Sequence, residues 1–378
     1  MNARTLASAA TGVLALASLA YGAFALERTL AFGRRSRERA EPSPRISIVK
    51  PLHGATDSLE ANLRSFCDQD YPNLEVILGA RSADDDAMAV ALRIAAEFPG
   101  SVRVYYADAA TPTHTNPKAN TLAALLPHAT GDILAISDAD MRTDRAYLGA
   151  IATAFGDPDV GAVTCLYRGE PDDASLASRL GALANHEHFA PSVLIARALG
   201  PMTFAFGATM AVRARLFAQA GGLDAIGSRL ADDAALGELT VAAGARVALA
   251  SCVVGNRVSE PTLAALWSHE LRWARTHRAL RPGGYIGLAV TYAIPLAALH
   301  LAVARNRRAV GMFGIALGLR YALAAAARRA FDVTDAPAPW LIPLRDLFGL
   351  AVWAAAFAGR DVRWDGTTLL PRGDGTLA

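Results

Sequence analysis

Two carboxylates one residue apart, Asp138 and Asp140, follow directly on the apolar run 133–137. Aspartate is a poor strand residue and costly to bury without a partner. A loop start explains most Asp-x-Asp triplets. The chemical explanation is a hard-cation site, because Mg²⁺ and Mn²⁺ take carboxylate oxygens together with substrate phosphates. Three further stretches carry reactive groups: Asn116-Pro117-Lys118-Ala119-Asn120, Leu230-Ala231-Asp232-Asp233, and His269-Glu270-Leu271-Arg272-Trp273, followed by Arg275 and His277.

One reaction would use all four. A diphosphate leaving group needs a divalent cation and positive donors. Asp140, with Asp138, suits the cation; Lys118 and Arg272 suit phosphate oxygens. Asp233 is a candidate base for a hydroxyl nucleophile, and the Trp273 indole a wall for a sugar or lipid. Each stretch also has a plain structural explanation. Asp232-Asp233 can be a helix cap with a dipole-facing carboxylate. Residues 269–273 can be an amphipathic helix with a Glu270–Arg275 contact.

Only two of the 37 basic residues are lysines, Lys50 and Lys118, in an Arg- and Ala-rich chain of the kind a GC-rich bacterial genome encodes. Such a chain keeps a lysine by chance or because a compact ammonium is needed. Cys67, Cys165 and Cys252 have no zinc or redox spacing and are expected to be reduced core thiols. His186-Glu187-His188 is read as a surface or interfacial feature, since residues two apart do not share a helix face to hold a metal. The net charge of +2 over 378 residues gives no field for nucleic acid.

The elements that must position these groups can be read from hydropathy. The chain is 53% hydrophobic and 19% charged, with mean hydropathy +0.24, which implies a soluble domain combined with membrane spans. Residues 5–26 are free of charge for a bilayer's thickness, and the cluster Arg34, Arg35, Arg37 and Arg39 lies on their C-terminal flank, so they read as an anchor with its N-terminus outside. Glu41-Pro42-Ser43-Pro44 is a linker. Strands are expected at 46–49, 74–80, 102–106, 133–137, 160–166, 204–212 and 247–254, with helices between the first four. Asp57 with Glu60 resembles a capping box. This rhythm implies a parallel sheet with ligands at the strands' carboxyl ends, where Asp138 and Asp140 fall. Candidate spans follow at 284–304, 310–327 and 340–358. Arg320, Arg345 and Asp346 there would snorkel, pair with one another, or meet lipid head groups. Three full crossings would put Arg305, Arg307 and Arg308 outside, against the charge rule, so one segment is expected to be re-entrant or interfacial. The expected division is an anchor at 1–30, a catalytic α/β domain at 45–280, membrane helices at 283–360 and a tail at 361–378.

The stretches "SIVKPLHG", "NLRSFCDQDYPNLEVILGAR", "NPKANTL", "GDILAISDADMR", "FAFGATMAVR", "LADDAALGE" and "HELRW" occur in the order seen in the ceramide glucosyltransferases. The chain resembles that family and its bacterial relatives, including hopanoid-associated glycosyltransferases. The resemblance implies a GT-A fold, a UDP-sugar donor, Mn²⁺ or Mg²⁺, and an inverting displacement on a hydroxyl of a membrane lipid, ceramide or hopanoid polyol, by an inner-membrane enzyme whose catalytic domain faces the cytoplasm. It implies that Asp140, with Asp138, holds the metal and that Asp233 is the base. Arg272 and Trp273 match the end of the family's Q/R-x-x-R-W motif, with His269 at its first position, and Lys50, Pro51, Ser82, Asp85, Lys118 and Asp138 would surround the nucleotide sugar. Two positions depart from the pattern. His269 stands where Gln or Arg is usual, and Ser82 replaces the first nucleotide-binding Asp, leaving Asp85 to take the surviving position.

Two other classes remain. A polysaccharide synthase would yield a high-mass product, and an inactive membrane scaffold would yield none. The few C-terminal spans and His269 weigh against the first; intact Asp140, Asp233 and Arg272 weigh against the second.

Overall fold

The structure is a computed structural model that describes residues 2–35, 43–106, 114–335, 338–359, 362–364 and 367–369. Arg37, Arg39, Glu41, Pro42 and most of the expected tail lie outside the described residues.

Eight strands form one mixed sheet: β1 (Ile46–Leu52), β2 (Leu74–Ala80), β3 (Val102–Tyr106), β4 (Ile133–Ile136), β5 (Met141–Arg142), β6 (Val160–Pro171), β7 (Met210–Arg213) and β8 (Arg246–Val258). Their order is β3-β2-β1-β4-β7-β6-β8-β5. The first four are mutually parallel, as the alternating pattern requires. The helices Leu59–Cys67, Asp86–Glu97 and Pro117–Leu125 make the crossovers. Helices on both faces bury β4 completely and β1 at all but Pro51, which is why β4 reads as an unbroken apolar run. One face packs around Phe66, Ile94 and Tyr147, the other around Leu122, Leu236 and Phe217. The chain steps outward from β1 to β2 and β3, then returns to place β4 on β1's other edge. In open α/β sheets ligands bind where the strand order reverses, which here is at the carboxyl ends of β1 and β4.

Three expectations need correction. The strand at 204–212 is only Met210–Arg213. The backbone of 205–207 is engaged elsewhere: Ala205 N donates to Asp233 O (3.3 Å) and Phe206 N to Thr164 Oγ1 (3.0 Å). The helix after β1 starts at Leu59 with Ser58 as its cap residue, so Asp57 and Glu60 form no capping box; Glu60 instead pairs with Arg64 and Arg93, each at 2.9 Å. His186 and Glu187 are buried rather than on the surface, and the interfacial alternative is the one found. All three cysteines are free and buried, as expected.

Among the described residues three helices are long and apolar enough to cross a membrane, Ala3–Gly33, Arg307–Ala330 and Leu341–Ala358. The candidate span 284–304 is broken: Pro282–Thr291 and Ala293–Ala304 meet at 71°. His300 lies against Thr11 (3.1 Å), whereas Phe331 packs on Phe32 at 5.8 Å. Arg305, Arg307 and Arg308 therefore lie at the end of the bundle remote from the sheet. Small residues let these helices approach closely; a Cβ on Gly33 would be 3.3 Å from that of Ala330. The intramembrane charges are paired. Arg320 meets Asp346 at 2.8 Å and Glu187 at 3.1 Å, and Arg345 meets Glu270 at 2.6 Å. Glu270 thus contacts a membrane helix.

Candidate active site

The acidic turn begins where β4 stops. Ser137 N still donates to Val49 O (3.2 Å), but Asp138 N turns to Gly207 O (3.1 Å). Beneath the turn lies Lys50, fully buried at the end of β1. Its ammonium donates to the Asp138 carbonyl (2.6 Å) and the Ser137 hydroxyl (3.3 Å), and stands 3.6 Å over the Phe66 ring. Burial pushes Lys50 down to about 7 against the pull of Asp140 and Asp138. Lys50 thus faces the turn from its buried side, and its neighbour Pro51 pairs in register with Gly79 of β2.

Lys118 reaches the same turn from the other side. Asn116 caps its helix, accepting from Lys118 N (3.0 Å), and Pro117 fills the first turn, where no donor is needed. The Lys118 ammonium lies 2.8 Å from Asp138 Oδ1 and 3.1 Å from Asp232 Oδ2. Burial would lower its proton affinity, but the charges of Asp138 and Asp232 outweigh that and hold it well above the usual lysine range.

Asp232 and Asp233 open the helix Asp232–Ala242, with Ala231 as the cap residue. Asp233 Oδ2 accepts from Gly207 N (2.9 Å) and Oδ1 from Ala234 N (2.7 Å). Gly207 therefore joins the two acidic groups, accepting from the Asp138 amide and donating to the Asp233 carboxylate. A Cβ at Gly207 would meet Asp138 Oδ2 and push that carboxylate aside. Burial, then the neighbouring Asp232 charge, pushes Asp233 up to about 6. Burial and Asp138 do the same to Asp140. Asp140 Oδ2 accepts from Asn256 Nδ2 (2.9 Å).

His269, Arg272 and Trp273 lie on the helix Leu263–Leu280, which follows β8. His269 Nδ1 contacts Glu260, and its ring meets Trp273 edge-on at 4.4 Å. Glu260 also acts on Arg272, opposing the burial that lowers the guanidinium. Trp273 is half-exposed. At the end of β2, Asp85 caps the next helix through Ala87 N (2.9 Å) and accepts from Gly54 N (2.9 Å), Gly54 having φ +66°. Ser82 is exposed, its hydroxyl accepting from Asp84 N at 3.2 Å. The structure thus gathers Lys50, Lys118, Asp138, Asp140, Asp232 and Asp233 around one turn, with Ser82 and Asp85 at the neighbouring strand end.

Sequence reasoning missed Asn256, Gly207 and Glu260. Asn256 could have been found: it is a polar residue in the apolar run of β8, where burial demands a partner. Among the described residues no cluster of three or more metal-ligating side chains exists.

A ceramide glucosyltransferase of Komagataella phaffii is 32% identical over 99 residues, 25% of this chain and 19% of that protein. Ceramide glucosyltransferase 1 of Caenorhabditis elegans is 22% identical over 253 residues, 66% of this chain and 53% of that protein. The chain thus spans about a fifth and about half of these relatives' lengths. A mannosyltransferase of Pyrobaculum calidifontis, solved with GDP-Man and Mn²⁺, superposes with a TM-score of 0.53 at 22% identity, covering 94% of this chain and 98% of that one. This last likeness establishes the fold, that of a GT-A glycosyltransferase. The family description "Glycosyl transferase family 21" matches residues 10–377, and the chain belongs to that family of sugar-transferring enzymes.

Proposed function

We propose that the protein transfers a hexose or N-acetylhexosamine, with inversion, from a UDP-sugar to the hydroxyl of a membrane lipid, a ceramide or a hopanoid polyol. The observation that carries this reading is the Gly207 peptide, which ties a two-carboxylate turn to a separate carboxylate raised into the range of a general base. Asp138 and Asp140 are hard oxygen donors, and two carboxylates with donor phosphates fit Mn²⁺ or Mg²⁺. That cation would neutralise the diphosphate charge. Asp138 and Asp140 would hold it, while Lys50 fixes the turn through the Asp138 carbonyl.

The remaining steps belong to the chain's own groups. Asp233 accepts the proton of the lipid hydroxyl as its oxygen bonds to the anomeric carbon. The bond from that carbon to the diphosphate oxygen breaks on the opposite face, and UDP leaves with the electron pair. Lys118 and Arg272 take up charge on the leaving phosphates. Ser82 and Asp85 stand on the nucleotide side, and His269 with Trp273 on the acceptor side. Lys118 is held by Asp138 and Asp232, so donor binding must exchange one of these contacts for phosphate.

The division proposed is an anchor at 1–30, a catalytic domain at 45–280, membrane helices at 283–360 and a tail at 361–378. The arginines after the first span support a cytoplasmic catalytic domain in a bacterial inner membrane. Membranes given labelled UDP-sugars and total lipid, with and without Mn²⁺, test the reading. A discrete labelled glycolipid supports it; label in a high-mass polymer, or no turnover, overturns it.

A further inference from the structure

The chain between β6 and β7 contains a single wide turn, Ala184–Phe189, in which Ala190 N donates to Asn185 O five residues back. Such π-turns are rare and concentrate at functional sites. Its polar residues point to two sides. Asn185 Nδ2 donates to Asn256 Oδ1 (2.8 Å), and Asn256 Nδ2 donates to Asp140 Oδ2 (2.9 Å). Because an amide nitrogen only donates and an amide oxygen only accepts, this chain fixes the orientation of the Asn256 amide. On the other side, Glu187 Oε2 accepts from Arg320 (3.1 Å) and His188 Nε2 lies 3.1 Å from Asp346 Oδ1. Arg320 in turn donates to both Asp346 oxygens, at 2.8–3.1 Å. Asn185, Glu187, Arg320 and Asp346 are all buried.

We infer that this turn couples the packing of the membrane helices to the acidic site: Asn185 and Asn256 are positioning residues that align the Asp140 carboxylate, and Arg320 with Asp346 hold the turn that carries Asn185. The inference rests on the metal reading of Asp140 given above. A carboxylate that ligates through one oxygen needs the other oriented, and such outer partners are worth about 10–100-fold in metal affinity. Asn256 also pairs with Met141 in the β5–β8 ladder, and Arg257 N donates to Asp140 O (3.0 Å), so the amide and the backbone locate the same turn. Nη2 of Arg320 reaches Glu187, His188 and Asp346 while Nε holds Asp346 a second time, a two-nitrogen grip that a single ammonium cannot keep. The seat of Asn185 thus depends on contacts that exist only when the helices Arg307–Ala330 and Leu341–Ala355 are in place.

The test uses the full chain in nanodiscs with two readouts: amide exchange of residues 138–142 in metal-free protein, and Mn²⁺ affinity by electron paramagnetic resonance. Asn256→Ala and Asn185→Ala should speed exchange, and Asn256→Ala should weaken Mn²⁺ about 10–100-fold. Arg320→Lys, remote from the metal, should speed the same exchange and weaken Mn²⁺ about 2–30-fold. Thr11→Ala, which removes the contact with His300 (3.1 Å) inside the same helix bundle and touches no residue of the turn, should change neither. If Arg320→Lys does not fold, Glu187→Gln, which keeps an acceptor for Arg320, reads the same coupling. Unaltered exchange in both asparagine variants overturns the alignment. Faster exchange in Asn256→Ala but not in Arg320→Lys or Glu187→Gln overturns the coupling. Wild-type protein that binds no Mn²⁺ while its exchange responds as described overturns the metal reading and supports the coupling.

Discussion

Lys118 and Asp138 are in direct contact, ammonium to carboxylate oxygen, at 2.8 Å, and Asp232 completes the triad at 3.1 Å. Lys118 is one of only two lysines in the chain, and the other, Lys50, lies under the same turn. A compact ammonium fits between the two carboxylates, whereas a planar guanidinium needs more room. Lys118→Arg should therefore lower kcat at least about tenfold, which is about 1.4 kcal/mol of transition-state stabilisation, although the charge is kept. Steady-state kinetics with unfolding midpoints check this; a fully active Lys118→Arg enzyme would mean that the lysine persisted by chance.

Metal dependence follows from the hard-oxygen donor set at the end of β4. EDTA should abolish transfer, with rescue by Mn²⁺ or Mg²⁺, and Asp140→Ala should be inactive under either metal. Full activity in EDTA would remove the cation from the mechanism.

The pH profile has a defined sign. Burial and Asp232 raise Asp233 to about 6, so its base form is depleted as pH falls through that value. Below it, kcat should fall about tenfold per pH unit. The comparison of Asp233→Asn with Asp232→Asn locates the base. Asp233→Asn should lose at least about a hundredfold with UDP affinity nearly intact. Asp232→Asn should be milder, because adjacent helical residues point about 100° apart. The reverse order would show that the acidic pair was read one residue out of register.

Glu270 adjoins the candidate catalytic residues on its helix and is held bidentately by Arg345 at 2.6 and 2.7 Å. Breaking one side leaves a buried charge, at a cost of about 3–5 kcal/mol. Arg345→Ala should lower the unfolding midpoint in detergent, and Glu270→Arg with Arg345→Glu should recover part of the loss. No recovery in the double variant would show that the two residues act independently.

Sidedness is tested by labelling. A cysteine in place of Asp57, in a background lacking the native cysteines, should be shielded from an impermeant thiol reagent in intact cells. Ready labelling would place the sheet outside.

The parallel half of the sheet was legible in the sequence because β1, β2 and β4 are buried on both faces and the helices Leu59–Cys67 and Asp86–Glu97 are amphipathic. The Asp138–Asp140 turn was legible for the same reason: carboxylates ending an apolar run are conspicuous. The segment 204–212 misled because its residues are strand-like in type, while its backbone bonds go to Asp233 and Thr164, partners no local pattern reveals. Intramembrane arginines announce that partners must exist but not which ones: Glu187 is 133 residues from Arg320. The wide turn at 184–189 has no periodic signature of its own, so the buried role of His186-Glu187-His188 could not be read from spacing.

The most direct test of the account is purified full-length protein in nanodiscs, supplied with labelled UDP-glucose or UDP-N-acetylglucosamine, Mn²⁺ and either ceramide or a hopanoid polyol. The account predicts label in a single organic-extractable glycolipid, lost in Asp233→Asn and in EDTA. Label in an aqueous polymer, or transfer that survives in Asp233→Asn, would contradict it.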